Sequence, residues 1–154
     1  QASESVQYLK ATWNKEFRFW RFALDNTLMF QKVDQQEDIV NVPELVSRNT
    51  LYYSDLLFDG KMFLQTGVTF KYFSKYFMDA YHPVLAEFYS QNHTRHGGFP
   101  LIDLFANAKI RQTRLYLKAE HVNSRFTGSN FYSAPEYPYR DFIIRFGLVW
   151  NFFM

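Results

Sequence analysis

The sequence predicts an all-β protein, an antiparallel transmembrane β-barrel, of which about seven strands are seen here. Three observations carry that expectation. Segment after segment of the 154 residues alternates large apolar with polar side chains, the period-two mark of a strand with two unlike faces. Aromatic residues make up 21% of the chain, yet mean hydropathy is negative and no run approaches the roughly 18 apolar residues of a membrane helix. The connections also sort by length, tight and long in turn, as outer-membrane barrels sort theirs between the periplasmic and outer rims.

The elements follow in order. In VQYLKATWN (residues 6–14), Leu9, Ala11 and Trp13 alternate with Tyr8, Lys10 and Thr12. NKE (residues 14–16) reads as a tight polar break. FRFWRFALDNTLMFQ (residues 17–31) sets Trp20, Phe22, Leu24, Leu28 and Phe30 on one face and Arg21, Asp25, Thr27 and Gln31 on the other, with Asn26 a polar intruder. A helix would put Arg21 and Asp25 beside the apolar row rather than opposite it, so a strand is the better reading.

Residues 32–47 form a long polar loop in which Pro43 breaks any ladder. RNTLYYSDLLF follows, its phase blurred by the adjacent Tyr52 and Tyr53. Asp59-Gly60 is a two-residue hairpin signal. Beyond it, Met62, Leu64, Val68 and Phe70 alternate with Gln65, Gly67, Thr69 and Lys71. Residues 72–100, broken by Pro83, Gly97, Gly98 and Pro100, read as an outer loop with a hairpin and a short strand near residues 86–90.

LIDLFANAKI (residues 101–110) alternates cleanly, with Asp103, Asn107 and Lys109 between Ile102, Leu104, Ala106, Ala108 and Ile110. RQT (residues 111–113) is a tight turn, and RLYLKAEHV (residues 114–122) then sets Leu115, Leu117 and Ala119 against Arg114, Lys118 and Glu120. After a loop with Gly128, Pro135 and Pro138 comes RFGLVWNFFM (residues 145–154), where Phe146, Leu148, Trp150 and Phe152 alternate with Arg145, Gly147 and Asn151.

Strands of about ten residues cross a bilayer when tilted roughly 45°. With NKE, FDG and RQT on the periplasmic side, the last strand runs downward; a further crossing strand inside residues 72–100 would set tight turns on opposite sides. Trp13, Trp20, Phe22, Leu24, Phe146, Leu148 and Trp150 are then expected to face lipid, with aromatic residues gathered at the periplasmic interface. Lys10, Arg21, Asp25, Arg48, Lys71, Asp103, Lys109, Arg114, Lys118, Glu120 and Arg145 are expected to face the lumen, because charge at membrane depth needs water or a partner. Pairs such as Lys118 with Asp103 would hold neighbouring strands, while the basic excess would bias a pore toward anions.

Other functions find little support. A net charge of +2 with no basic block argues against a nucleic-acid partner. The lack of cysteine excludes a disulfide scaffold and thiolate metal sites. His93 and His96 form H-x-x-H in a Gly-flanked loop and read as solvated side chains rather than a zinc site. His121 falls on the apolar parity and reads as interfacial. No Ser-centred elbow, H-E-x-x-H or phosphate-binding Gly loop occurs. Asp79, His82 and Glu87 are the set an outer-rim enzyme would use, but the reading is non-enzymatic, with no catalytic site, metal or cofactor. The start at Gln1, without Met or a leader, fits a processed chain or a fragment.

The ending resembles the C-terminal assembly signal of bacterial outer-membrane barrels. That signal has a polar residue, Gly two places later, then alternating aromatic or apolar residues; Arg145, Gly147, Trp150 and Phe152 occupy those places. It departs from the commonest form because Phe153-Met154 follows the final aromatic. The resemblance implies the barrel-assembly machinery as a partner during insertion, reading the strand by its unpaired edge.

More narrowly, PELVSRNTLYYSDLLFDGK, YFMDAYHPVLAEFYSQN, FPLIDLFANAKIRQTRLYLKAEHVN and YPYRDFIIRFGLVWNFF resemble the C-terminal part of the porins of Bacteroidetes. They cover most of residues 43–153. The resemblance implies that residues 1–154 are a single domain, the C-terminal segment of a larger barrel in the bacterial outer membrane. Outer-membrane lipid would surround it, and small solutes would pass by diffusion. An odd strand count agrees, since single-chain bacterial barrels have even numbers. Alternatives are a structural or docking barrel subunit in a complex with other outer-membrane subunits, a barrel substrate held by the assembly machinery, and a soluble lipocalin-like barrel with its apolar face inward. Detergent dependence separates the last from the others.

Overall fold

The computed structural model describes residues 6–35, 40–128 and 131–152. The chain forms β1 (Gln7–Phe19), β2 (Phe22–Asp34), β3 (Leu45–Leu57) and β4 (Met62–Phe73), then four short strands, β5 (Tyr76–Phe77), β6 (Ala80–His82), β7 (Glu87–Tyr89) and β8 (Arg95–His96). β9 (Leu101–Ile110) and β10 (Thr113–Glu120) follow, then a one-turn helix α1 (Ser124–Thr127), β11 (Tyr132–Ala134), β12 (Tyr137–Pro138) and β13 (Ile143–Trp150). The long strands make one seven-stranded antiparallel sheet in the order β1-β2-β3-β4-β9-β10-β13. It is an up-and-down meander, left open between β1 and β13. No helix of the described residues is long and apolar enough to cross a membrane.

Antiparallel pairing of chain neighbours puts the connections at alternate ends. Trp20–Arg21, residues 58–61 and Arg111–Gln112 lie at one end, and the long connections before β3, β9 and β13 lie at the other. Trp150 is opposite Thr113, so β13 finishes at the short-turn end. β1 and β13, first and last in an antiparallel meander, run in the same direction. The loop over residues 74–100 holds a hairpin, β6 on β7, flanked by β5 on β8; the short strand expected near residues 86–90 is β7.

Two turns differ from the sequence expectation. NKE does not turn: Asn14, Lys15 and Glu16 continue β1, paired in unbroken register with Thr27, Asn26 and Asp25. The reversal comes at Trp20–Arg21, where Trp20 takes a left-handed φ of 57°. Arg21 Nη1 lies 2.7 Å from Asp55 Oδ2, and its guanidinium sits 4.7 Å from the Trp20 ring centroid. Asn14 and Glu16 are polar because they share the polar face with Thr12 and Arg18, and strand alternation accounts for them without a turn. Asp59-Gly60 turns as expected but within a four-residue connection, with φ positive at Phe58, Asp59 and Gly60.

The arrangement of burial is inverted relative to a soluble domain. Among the described residues, no large side chain is fully buried, and the buried set is mostly polar: Gln31, Thr50, Thr69, His96, Asp103, His121, Asn123 and Ser124. Large apolar side chains lie outside, with Phe146 82% and Leu148 62% exposed. Soluble monomers rarely expose contiguous apolar surface on this scale.

Candidate functional site: a polar face backed by an apolar face

Register determines which side chains share a face, because directly opposed residues on antiparallel strands point to the same side. One row runs Glu16–Asp25–Thr50–Thr69–Asp103 from β1 to β9. Counting along the strands by twos from that row, Lys10, Asp25, Arg48, Lys71, Asp103, Lys109, Arg114, Lys118, Glu120 and Arg145 all fall on this polar face. The opposite face carries Trp13, Phe22, Leu24, Phe146, Leu148 and Trp150, with Phe22 opposite Tyr53, Leu117 opposite Phe146 and Leu115 opposite Leu148. A furrow of about 500 Å³ crosses this apolar face, floored by the smaller side chains of Thr66, Ala106 and Ala119.

Two of the expected residues lie elsewhere. Trp20 and Arg21 form the β1–β2 turn, so neither belongs to a strand face. Arg21 reaches Asp55, which shares the face of Tyr53, two residues before it on β3, and is thereby drawn away from the polar face. Trp13 stands mid-strand opposite Leu28 rather than beside a turn; Phe17, Phe19 and Trp20 are the aromatics at that end.

The polar face is tied across strands. Asp103, only 3% exposed, accepts from Lys71 Nζ at 2.6 Å and from the His121 backbone N–H at 3.0 Å, and Lys118 Nζ lies 3.3 Å away. Lys118 Nζ also donates to Glu120 at 2.7 Å, and Arg145 Nε is 3.0 Å from the other Glu120 oxygen. One connected ladder therefore links β4, β9, β10 and β13, including the expected Lys118–Asp103 pair. Thr50 and Thr69 hydroxyls bond at 3.1 Å beside it. Toward β1, the Tyr52 hydroxyl donates to Glu16, which Arg18 also holds at 2.9 Å. Tyr52 crosses β2 where that strand carries only Ala23, which it covers.

Two tyrosines on this face were not singled out from the sequence. Tyr52 is opposite Gly67, and Tyr116 is opposite Gly147, with its ring filling the space a side chain at 147 would need. Their phase with Arg48 and Lys118 was the available signal. Gly147 thus has a packing reason within the Arg145–Phe152 ending, separate from recognition.

At the long-loop end the histidines differ from expectation. His121 is buried: its Nδ1 is 2.8 Å from the Arg140 carbonyl and its ring packs on Phe131 and Tyr139. His96 is buried against Tyr132 rather than solvated. Both are covered by aromatic residues from the connection before β13, which period-two counting cannot anticipate. Phe99 stacks on Phe131 at 4.2 Å and closes this cluster. Burial holds the Tyr76 and Tyr139 hydroxyls above the ordinary tyrosine value. His82 faces Glu87 across the β6–β7 hairpin, with both side chains exposed.

A family model described as “Putative porin” matches residues 1–154. No curated protein and no solved structure matches the chain.

Proposed function

The chain belongs to this porin family along its whole length, and on that premise we propose that its sheet is a wall of an outer-membrane β-barrel through which small solutes pass by diffusion. The observation that carries the reading is the inverted pair of faces: charge and hydroxyls on one side, exposed Phe, Leu and Trp on the other. In this reading the apolar face meets lipid and the polar face lines water, which makes the charge of the Asp103 ladder tolerable at membrane depth. The short turns lie in the periplasm and the long connections outside. The role is non-enzymatic and needs no cofactor.

Lipid offers no hydrogen bonds to the edges of β1 and β13, so the wall must close. Because these two strands run in the same direction, an all-antiparallel closure takes an odd number of further strands. The same open edges favour a second reading, a barrel held by its assembly machinery or docked in an outer-membrane complex, since an unpaired strand is a template for addition. Single-channel recording of the full-length protein in planar bilayers separates the two. Stepwise open channels support a porin; a stably inserted protein with no conductance supports the docking or structural role.

A further inference from the structure

The polar face is not electrically balanced. Among the described strand residues its acids are Glu16, Asp25, Asp103 and Glu120, four in all. Its bases are eight: Lys10 and Arg18 on β1, Arg48 and Lys71 at the centre, Lys109 and Arg114 near the short turns, Lys118 and Arg145 along β10 and β13. Three of the acids are already engaged, Glu16 by Arg18 and Tyr52, Asp103 by Lys71 and Lys118, Glu120 by Lys118 and Arg145. Arg48, Lys109 and Arg114 have no ion-pair partner among the described residues.

The bases are placed against each other. Arg48 is directly opposite Lys71, and Lys109 is directly opposite Arg114. Like charges directly opposed on neighbouring strands oppose pairing. Each of these pairs borders a recess on the polar face. The first, of about 300 Å³, is lined by Arg48, Lys71, Lys118 and Asp103 with Thr50 and Thr69. The second, of about 460 Å³, sets Lys109, Arg114, Asn107 and Tyr116 among apolar side chains such as Phe63 and Val149, and contains no acid. Lys109 stands eight residues along β9 from Leu101, the residue opposite Lys71, which separates the two pairs of bases by roughly 25 Å at the rise of a strand. The recesses themselves adjoin and share Asn107 and Tyr116.

We infer that the polar face selects small anions, carboxylates and phosphates, with Arg48–Lys71 and Lys109–Arg114 as two successive stations along the wall. This rests on the pore reading above and names its solute class. At Lys109–Arg114 an anion between two opposed cations removes their repulsion. At Arg48–Lys71, where Asp103 already holds Lys71, it meets Arg48, unpaired among the described residues. The guanidinium of Arg48 or Arg114 presents paired donors that match a carboxylate or phosphate edge. Two separated stations suit passage better than one deep site, because a solute must leave as readily as it enters.

The test uses the full-length protein in planar bilayers under a potassium chloride gradient, with Arg48→Glu, Arg114→Glu, the milder Arg48→Gln and Arg114→Gln, and Lys61→Glu on the turn rim as the control. Heat-modifiable migration on a gel checks that each variant is folded. The wild type is expected to reverse on the chloride side. Each Glu variant is expected to shift the reversal toward potassium, the Gln variants by less, and Lys61→Glu least. A wild type that prefers potassium, or station variants that shift no more than Lys61→Glu, overturns the anion proposal while leaving the pore reading standing. Silent bilayers from stably inserted protein overturn both, a result distinguishable from the first by the absence of any current.

Discussion

Tyr52 and Gly67 face each other across β3 and β4 so closely that a β-carbon at 67 would fall 2.3 Å from the Leu51 carbonyl oxygen and 2.8 Å from the Tyr52 α-carbon. The obstruction is backbone, which cannot swing aside. Gly147 differs, because the atoms in its way are the far end of the Tyr116 ring, on an open face. Gly67→Ala is therefore expected to destabilise by about 1–3 kcal/mol, as overpacking does, and Gly147→Ala by less. Urea unfolding of the full-length protein in detergent checks the order; equal costs would mean that Tyr116 is as immovable as the β3 backbone.

Asp103 is the joint of the polar ladder. Asp103→Ala strands the Lys71 and Lys118 ammonium groups and the His121 N–H at once, but both lysines are about one-third exposed and can turn to water. A loss of about 1.5–3 kcal/mol is expected, the range for a hydrogen bond to a charged group. Arg145→Ala, at the exposed end of the ladder, should cost no more than about 1 kcal/mol. Chemical denaturation of the two variants measures the contrast.

The two faces should answer oppositely to the same charge. Phe146→Arg near the middle of β13 is expected to cost about 2–4 kcal/mol if its face meets lipid. Val149→Arg, on the polar face, should be tolerated. Comparable losses of folded yield in lipid vesicles from the two variants would remove the distinction.

The long-loop cluster should respond to alkali. Burial raises the Tyr139 hydroxyl above its unfolded value, so folded Tyr139 keeps its proton where unfolded Tyr139 loses it. The stability this contributes is complete below the unfolded value of about 10 and is lost as pH rises through the folded one. Spectrophotometric titration should show late-ionising tyrosines, Tyr76 and Tyr139 among them, and one fewer in Tyr139→Phe. A titration unchanged by that substitution would contradict the buried placement.

Most of the sheet was legible because period two survives any context in which one face is apolar. Leu101 to Ile110 and the ending from Arg145 needed only alternation. The β1–β2 turn was not legible, because Trp20 and Arg21 carry no Gly, Asn or Asp signal and are held by an ion pair to Asp55, on the next strand. NKE offered turn chemistry that the strand did not use. On the polar face, parity found the charges of the ladder, and it found Lys118–Asp103 as a pair. It could not find Tyr52 reaching Glu16 across β2, since that contact needs the register of three strands. His121 and His96 escaped because residues 131–139, distant in sequence, cover them.

The central claim, that the apolar face meets lipid and the polar face meets water, is tested most directly by labelling single cysteines in the full-length protein reconstituted into vesicles. Phe22, Leu24, Phe146 and Leu148 represent one face, and Arg48, Lys118 and Arg145 the other. The account predicts that a membrane-soluble reagent labels the first set and a membrane-impermeant, water-soluble thiol reagent the second. Reversed labelling, with the apolar set protected and the charged set open to the bilayer, would contradict it.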